Sequence, residues 1–79
     1  MILPVQCRMA RAAVGLGVRE LAAAAKVSID TVTRFERGDE LKERTIEALQ
    51  RALEAAGVQF IDDGGGPGVR IPKPKKAKI

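Results

Sequence analysis

Histidine, tryptophan and tyrosine are absent from this chain, and cysteine occurs once. The missing histidine removes the commonest metal ligand and the commonest general base. A lone Cys7 excludes an intrachain disulfide framework and a cysteine metal cluster. Two phenylalanines are the only aromatic residues, and alanine supplies much of the apolar content. A core of this kind is small, since a domain of about 60 residues buries only about 60% of its unfolded surface. The 79 residues are therefore expected to form one domain, modestly stable alone or helped by dimerisation. No apolar run approaches the ~20 residues of a membrane span. The first residues have neither the charged region nor the long apolar stretch of a secretory leader. With the unpaired cysteine, these features point to a reducing cytosol. No internal repeat is visible.

What is present is charge, unevenly spread. Residues 1–38 carry six Lys/Arg against three Asp/Glu, a net of +3, whereas residues 39–63 carry three against seven, a net of −4. Residues 64–79 carry five basic and no acidic residues. A nucleic-acid partner suits the first and third blocks and avoids the second.

Helical signals divide the first 57 residues. Pro4, pre-set in φ, opens a helix from Pro4 to Val14. Its apolar stripe is Leu3, Cys7, Ala10 and Val14, with Gln6, Arg8 and Arg11 off it. Gly15 is placed to take the left-handed cap and Leu16 to fold back into the core. A second helix spans Val18 to Ala25, with Gly17 as N-cap and Glu20 as half of a capping box. Leu21 and Ala25 form its inward edge, and the small Ala22 lets the next helix cross closely. A third helix starts at Ile29 behind Ser28, whose hydroxyl can accept from the Thr31 or Asp30 N–H. Val32 and Phe35 point inward and Gly38 stops it. A fourth runs from Glu43 to Ala56 with Ile46, Leu49, Ala52, Leu53 and Ala56 buried and Gly57 as cap.

Beyond Gly57, Val58–Ile61 and Val69–Ile71 are β-prone pieces flanking the turn residues Asp62 to Gly68, which predicts a hairpin. Gly64-Gly65-Gly66 is read as that turn and not as a phosphate loop, because no Lys-Ser/Thr and no helix follow. From Pro72 the chain is Pro- and Lys-rich and is expected to be a disordered basic tail. The division is residues 1–57 as the helical domain, 58–71 as a hairpin extension and 72–79 as the tail.

The second and third helices meet at Lys26-Val27-Ser28, too short to be a loop of its own. That junction, with Ile29, Asp30, Thr33 and Arg34 facing outward, is a helix-turn-helix pattern, whose usual use is to lay the second helix of the pair in the DNA major groove.

With Gly15-Leu16, Leu21-Ala22, Val27-Ser28, Val32 and Glu36-Arg37-Gly38 in place, residues 3–56 resemble the Xre-type family of bacterial and phage regulators, which includes Cro and lambda-repressor-like DNA-binding domains. The continuation Arg51 to Ile61, followed by Gly66-Pro67-Gly68-Val69-Arg70, is similar to short single-domain bacterial members. The resemblance implies a mainly α, four-helix DNA-binding fold, here with a short C-terminal β-hairpin. It implies that the backbone N–H groups of Val18 and Arg19 face a phosphate. It places Ile29, Asp30, Thr33 and Arg34 at recognition positions behind Ser28, and Arg37 near the far phosphates. It also implies a structural ion pair between Arg11 and Glu36. Four residues depart from the family pattern. Val18 stands where Gln is common, Lys26 where Gly is usual, Ile29 where a polar reader is common, and Asp39-Glu40 make the connector acidic.

Each candidate has a second reading. Arg34 either presents its fork to guanine O6 and N7 or stays paired with Asp30 four residues earlier. Thr33 either touches a base edge or is a plain exposed residue. Ile29 packs on a thymine methyl, sits exposed at the helix start, or joins the core. Asp30 accepts from cytosine N4 or, the stronger reading, supports the helix N-terminus and orients Arg34. Lys73, Lys75, Lys76 and Lys78 either reach DNA or solubilise the tail. Cys7 reads as a small core residue.

The expectation is a cytoplasmic, homodimeric transcriptional regulator binding double-stranded DNA sequence-specifically, with Val58–Ile61 as a candidate for the dimer contact, because an exposed short strand can pair with its twin, and the fourth helix as the competing candidate. The alternative is an antitoxin-like or adaptor module using the same fold. No catalytic residue, metal ligand or cofactor is nominated.

Overall fold

A computed structural model describes residues 1–72. Four helices are followed by a hairpin: α1 Pro4–Val14, α2 Val18–Ala25, α3 Ile29–Glu36, α4 Glu43–Ala55, β1 Gln59–Asp62 and β2 Pro67–Arg70. The expected tail contacts Lys73, Lys75, Lys76 and Lys78 lie outside the described residues.

The core is formed where one stripe of each helix converges. Cys7 and Ala10 of α1, Leu21 and Ala22 of α2, Val32 and Phe35 of α3, and Ile46, Leu49 and Leu53 of α4 are all buried. Small residues at Ala10 and Ala22 let backbones approach, which is how few large side chains fill the interior.

All four helices end alike. The residue after the last turn has positive φ at Gly15, Lys26, Gly38 and Gly57. The next N–H then closes on a carbonyl five residues back: Leu16 to Arg11 (2.9 Å), Val27 to Ala22 (3.0 Å), Asp39 to Arg34 (3.0 Å) and Val58 to Leu53 (3.2 Å). This closure satisfies carbonyls the helix leaves open and turns the chain sharply. At three of the four positions glycine takes the left-handed conformation without a Cβ penalty; Lys26, at φ 60°, takes it with one.

Several expectations are corrected. Leu3 is not on the buried stripe of α1 but exposed as its N-cap, and Ile2 is buried in its place. Gln6 is buried, because its amide joins two elements at once. Its Oε1 accepts from Leu3 N–H (2.9 Å), and its Nε2 donates to the carbonyls of Ile61 (3.3 Å) and Gly68 (3.1 Å). The Glu20 half of the capping box at Gly17 does not form, and α2 starts without a side-chain cap. Helix α4 stops at Ala55, and Ala56 is exposed. The strands begin and end closer to the turn than expected, pairing Asp62 with Pro67 and Gln59 with Arg70.

The hairpin is antiparallel, and its paired Phe60 and Val69 pack on the helical core. An isolated two-stranded ribbon is marginal in water. Here Gln6 and the apolar pair fasten it to α1. Val58, at the head of the hairpin, is buried.

Candidate nucleic-acid interface

Helix α3 forms because its start and its periodicity agree. Ser28 Oγ accepts from Thr31 N–H at 3.0 Å and shares a 2.8 Å hydrogen bond with the Thr31 hydroxyl. Asp30 in the first turn suits the helix dipole. Val32, Phe35 and Glu36 face inward. The opposite face carries Ile29, Asp30, Thr33 and Arg34, all exposed, with Ile29 46% accessible. Ile29 is thus outside the core. Thr33 Oγ1 donates back to the Ile29 carbonyl at 3.2 Å.

The inward Glu36 sets the tilt of this helix. Its carboxylate accepts from Arg11 Nε (2.7 Å) and Nη2 (2.8 Å), a two-point contact across to α1, and from the Cys7 thiol at 3.1 Å. Arg8 donates to the Glu36 carbonyl, and Arg11 Nη1 donates to the Leu16 carbonyl at 3.3 Å. Burial alone would raise the Glu36 pKa, but hydrogen bonds from Arg11 and Cys7, with the charges of Arg11 and Arg8, outweigh it and hold the carboxyl below its usual range. Burial, with the neighbouring carboxylate, pushes the Cys7 thiol far up, so it stays a donor. Arg8 and Cys7 complete a network that the sequence reading limited to Arg11 and Glu36. Their spacing from Arg11 on one helix was the available signal.

At the start of α2, Val18 is half-buried against the core while Arg19 is exposed. The first hydrogen bond of this helix runs from Leu21 N–H to the Gly17 carbonyl at 3.1 Å, so the N–H groups before it have no partner within the helix. The Val18 side chain packs on the core, and its N–H has no partner within the helix.

At the end of α3 three charged residues converge. Arg37 donates to Asp39 through Nη2 (2.7 Å) and Nε (3.3 Å). The same carboxylate lies 3.5 Å from Arg34 Nε, while Asp30 Oδ2 is 3.9 Å from Arg34 Nη1. Hydrogen bonding from Arg37, reinforced by Arg34, holds the Asp39 carboxyl below its usual range. Asp39 is the residue that sequence reasoning missed as a partner. Its position two residues past Arg37 was visible, but its reach back to Arg34 depends on the turn at Gly38.

The outer face of α3, Arg19 in the first turn of α2, and Arg37 are all exposed, and α2 packs directly on α3. Chemically these residues offer guanidinium forks, a hydroxyl-bearing residue and an exposed branched apolar side chain, beside N–H groups that have no partner within α2. Among the described residues no group of three or more Cys, Asp or Glu side chains is placed to hold a metal. No described helix is long and apolar enough to cross a membrane.

A family model described as a helix-turn-helix domain matches residues 5–60. No curated protein matches the chain in a sequence search.

Proposed function

The chain belongs to the helix-turn-helix domain family of Xre/Cro-like regulators, and from that premise we propose that it is a transcriptional regulator reading a specific double-stranded DNA sequence with α3. The observation that carries this reading is the open outer rim of α3: Ile29, Asp30, Thr33 and Arg34 are exposed and no other segment of residues 1–72 covers them. Arg34 meets a guanine edge, Thr33 and Ile29 meet base edges or thymine methyls, and Asp30 orients Arg34. The N–H groups of Val18 and Arg19 meet one phosphate and Arg37 another, which fixes register without reading sequence. Ser28 closes the α3 N-terminus at the groove. Arg11 and Glu36 touch no DNA and hold α3 at its angle.

The working unit is a homodimer on a near-palindromic operator, with the two α3 helices about 34–36 Å apart in successive major grooves. The hairpin supplies the dimer contact. Among the described residues β1 pairs with β2 alone, so its other edge has no strand partner there and is the edge on which a second copy would pair. Val58 is spent on the core, so this contact is made by Gln59–Asp62.

Selection of bound duplexes from a random pool tests the reading. A palindromic consensus is the expected result. A folded sample that enriches no motif, and whose weak binding does not change with salt, supports the antitoxin-like or adaptor function in its place.

A further inference from the structure

We propose that Asp39 is a specificity-determining residue, holding Arg34 by its Nε side so that the terminal Nη1–Nη2 edge is what α3 presents to a base pair. The inference rests on α3 being the element that enters the major groove.

Asp39 is fixed before its side chain does anything. Gly38 at φ 100° turns the chain back, and the Asp39 N–H donates to the Arg34 carbonyl at 3.0 Å. The carboxylate is thereby tied to the last turn of the helix whose arginines it meets. Oδ2 sits 2.7 Å from Arg37 Nη2 and 3.5 Å from Arg34 Nε, and Oδ1 sits 3.3 Å from Arg37 Nε. Asp30 stands at the other flank, 3.9 Å from Arg34 Nη1 and largely exposed. Arg34 therefore lies between two carboxylates that come from opposite ends of α3, and its side chain is still 45% exposed.

A guanidinium is a planar fork, and what it reads depends on which edge is free. An unrestrained arginine at this position satisfies a phosphate oxygen or any base acceptor within reach. Held on the Nε side, it offers one edge in one plane, which matches the O6/N7 pair of guanine. The second effect is repulsion. A carboxylate beside the phosphates weakens binding to every sequence alike; this lowers affinity for random duplex but cancels from discrimination, which is a difference of affinities and here comes from the restrained Arg34 edge. The acidic start of the connector, at odds with a phosphate-facing surface, has a use on these grounds.

The test compares wild type, Asp39→Asn, Asp39→Glu and Arg34→Ala on three probes at two salt concentrations. The probes are the selected operator duplex, the same duplex substituted at each position in turn, and a random-sequence duplex. Arg34→Ala is expected to lose about tenfold discrimination at one base pair per half-site. Asp39→Asn, which keeps Arg34, is expected to lose most of the discrimination at that same base pair while binding random duplex at least as tightly as wild type. Asp39→Glu restores the charge one methylene away, and is expected to restore weak binding to random duplex but not the discrimination. The proposal is overturned if Asp39→Asn tightens every duplex by one common factor with an unchanged profile, or if Asp39→Glu behaves as wild type, because either outcome makes Asp39 a charge and no more. An Arg34→Ala profile identical to wild type, or no selected motif at all, brings down the reading of α3 and the role of Asp39 with it; the first is recognised by the Arg34→Ala arm and the second by the selection itself, before any Asp39 variant is compared.

Discussion

Helix α3 carries two arginine–carboxylate arrangements, one on each face, and they behave as different materials. On the inner face Glu36 is 9% exposed and takes a two-point contact from Arg11 and a third bond from Cys7. On the outer face Asp39 faces Arg34 and Arg37, whose side chains are 45% and 61% exposed. The groups are the same and the solvent is not. In the interior a charge without its partner has nothing to replace it, so the pair is obligatory once built. In water each partner is resolvated on release, and an exposed pair contributes little to stability. One arrangement therefore fixes the helix, and the other leaves much of its guanidinium surface in solvent.

The largest expected break in this comparison is Glu36→Ala. It leaves Arg11 facing a pocket without a counter-charge, and costs on the order of 3 kcal/mol, the lower end for a broken buried pair since Arg11 retains some solvent. Urea denaturation of the wild type and variant measures it. For a domain of this size the loss is a large part of the total stability. Asp39→Ala, in the same assay, is expected to shift the midpoint hardly at all.

Acid sharpens the contrast. The folded-state pKa of Glu36 lies below its unfolded value. Its contribution is therefore complete above the unfolded value of about 4.3, and is lost as pH falls through the folded one. Melting temperature followed downward from neutral pH is expected to drop over that window. Glu36→Gln is expected to start lower and to flatten the drop, whereas Asp39→Asn is expected to leave its slope close to wild type.

Arg34→Ala reverses the pattern. Stability is expected to stay within about 0.5 kcal/mol of wild type, as for a surface substitution. Discrimination at one base pair per half-site is expected to fall about tenfold, or ~1.4 kcal/mol, in a competition binding assay.

The smallest effect concerns the turn that joins the two helices of the motif. Among the described residues Lys26 is the one non-glycine residue at a positive φ. Lys26→Gly removes a steric cost of about 1–2 kcal/mol and introduces an entropic one of roughly 0.5–1 kcal/mol. The expected net is a gain of about 0.75 kcal/mol, the middle of the difference between those ranges, in thermal unfolding, with operator discrimination unchanged. A changed binding profile would mean that the strained turn itself sets how α3 is presented.

The boundaries of α1, α2 and the start of α3 were legible because they are written in neighbouring residues. Pro4 at the first helical position, Gly15 after the last turn and Ser28 before Ile29 each satisfy or remove a backbone group within a few residues of themselves. The outward set Ile29, Asp30, Thr33 and Arg34 was legible for a related reason: Val32 and Phe35 had to go inward, and helical spacing sends the others out. Gln6 was not. It looks like any polar residue on a helix surface, and only the hairpin, more than fifty residues away, turns that surface into an interior. Ile2 for Leu3, and the exposure of Ala56, follow from the same kind of distant packing.

Local chemistry thus determined, from sequence alone, that there would be four helices, a bent pair among them and an outward rim of Ile29, Asp30, Thr33 and Arg34, because end signals and periodicity act over a turn or two of chain. Which polar groups became buried, and which guanidinium each carboxylate would hold, was decided only when α1, α3 and the hairpin were brought together. Burial and charge pairing are properties of three-dimensional neighbours, and Glu36 and Asp39, three residues apart in the chain, acquired opposite roles because α3 turned one toward protein and Gly38 turned the other toward water.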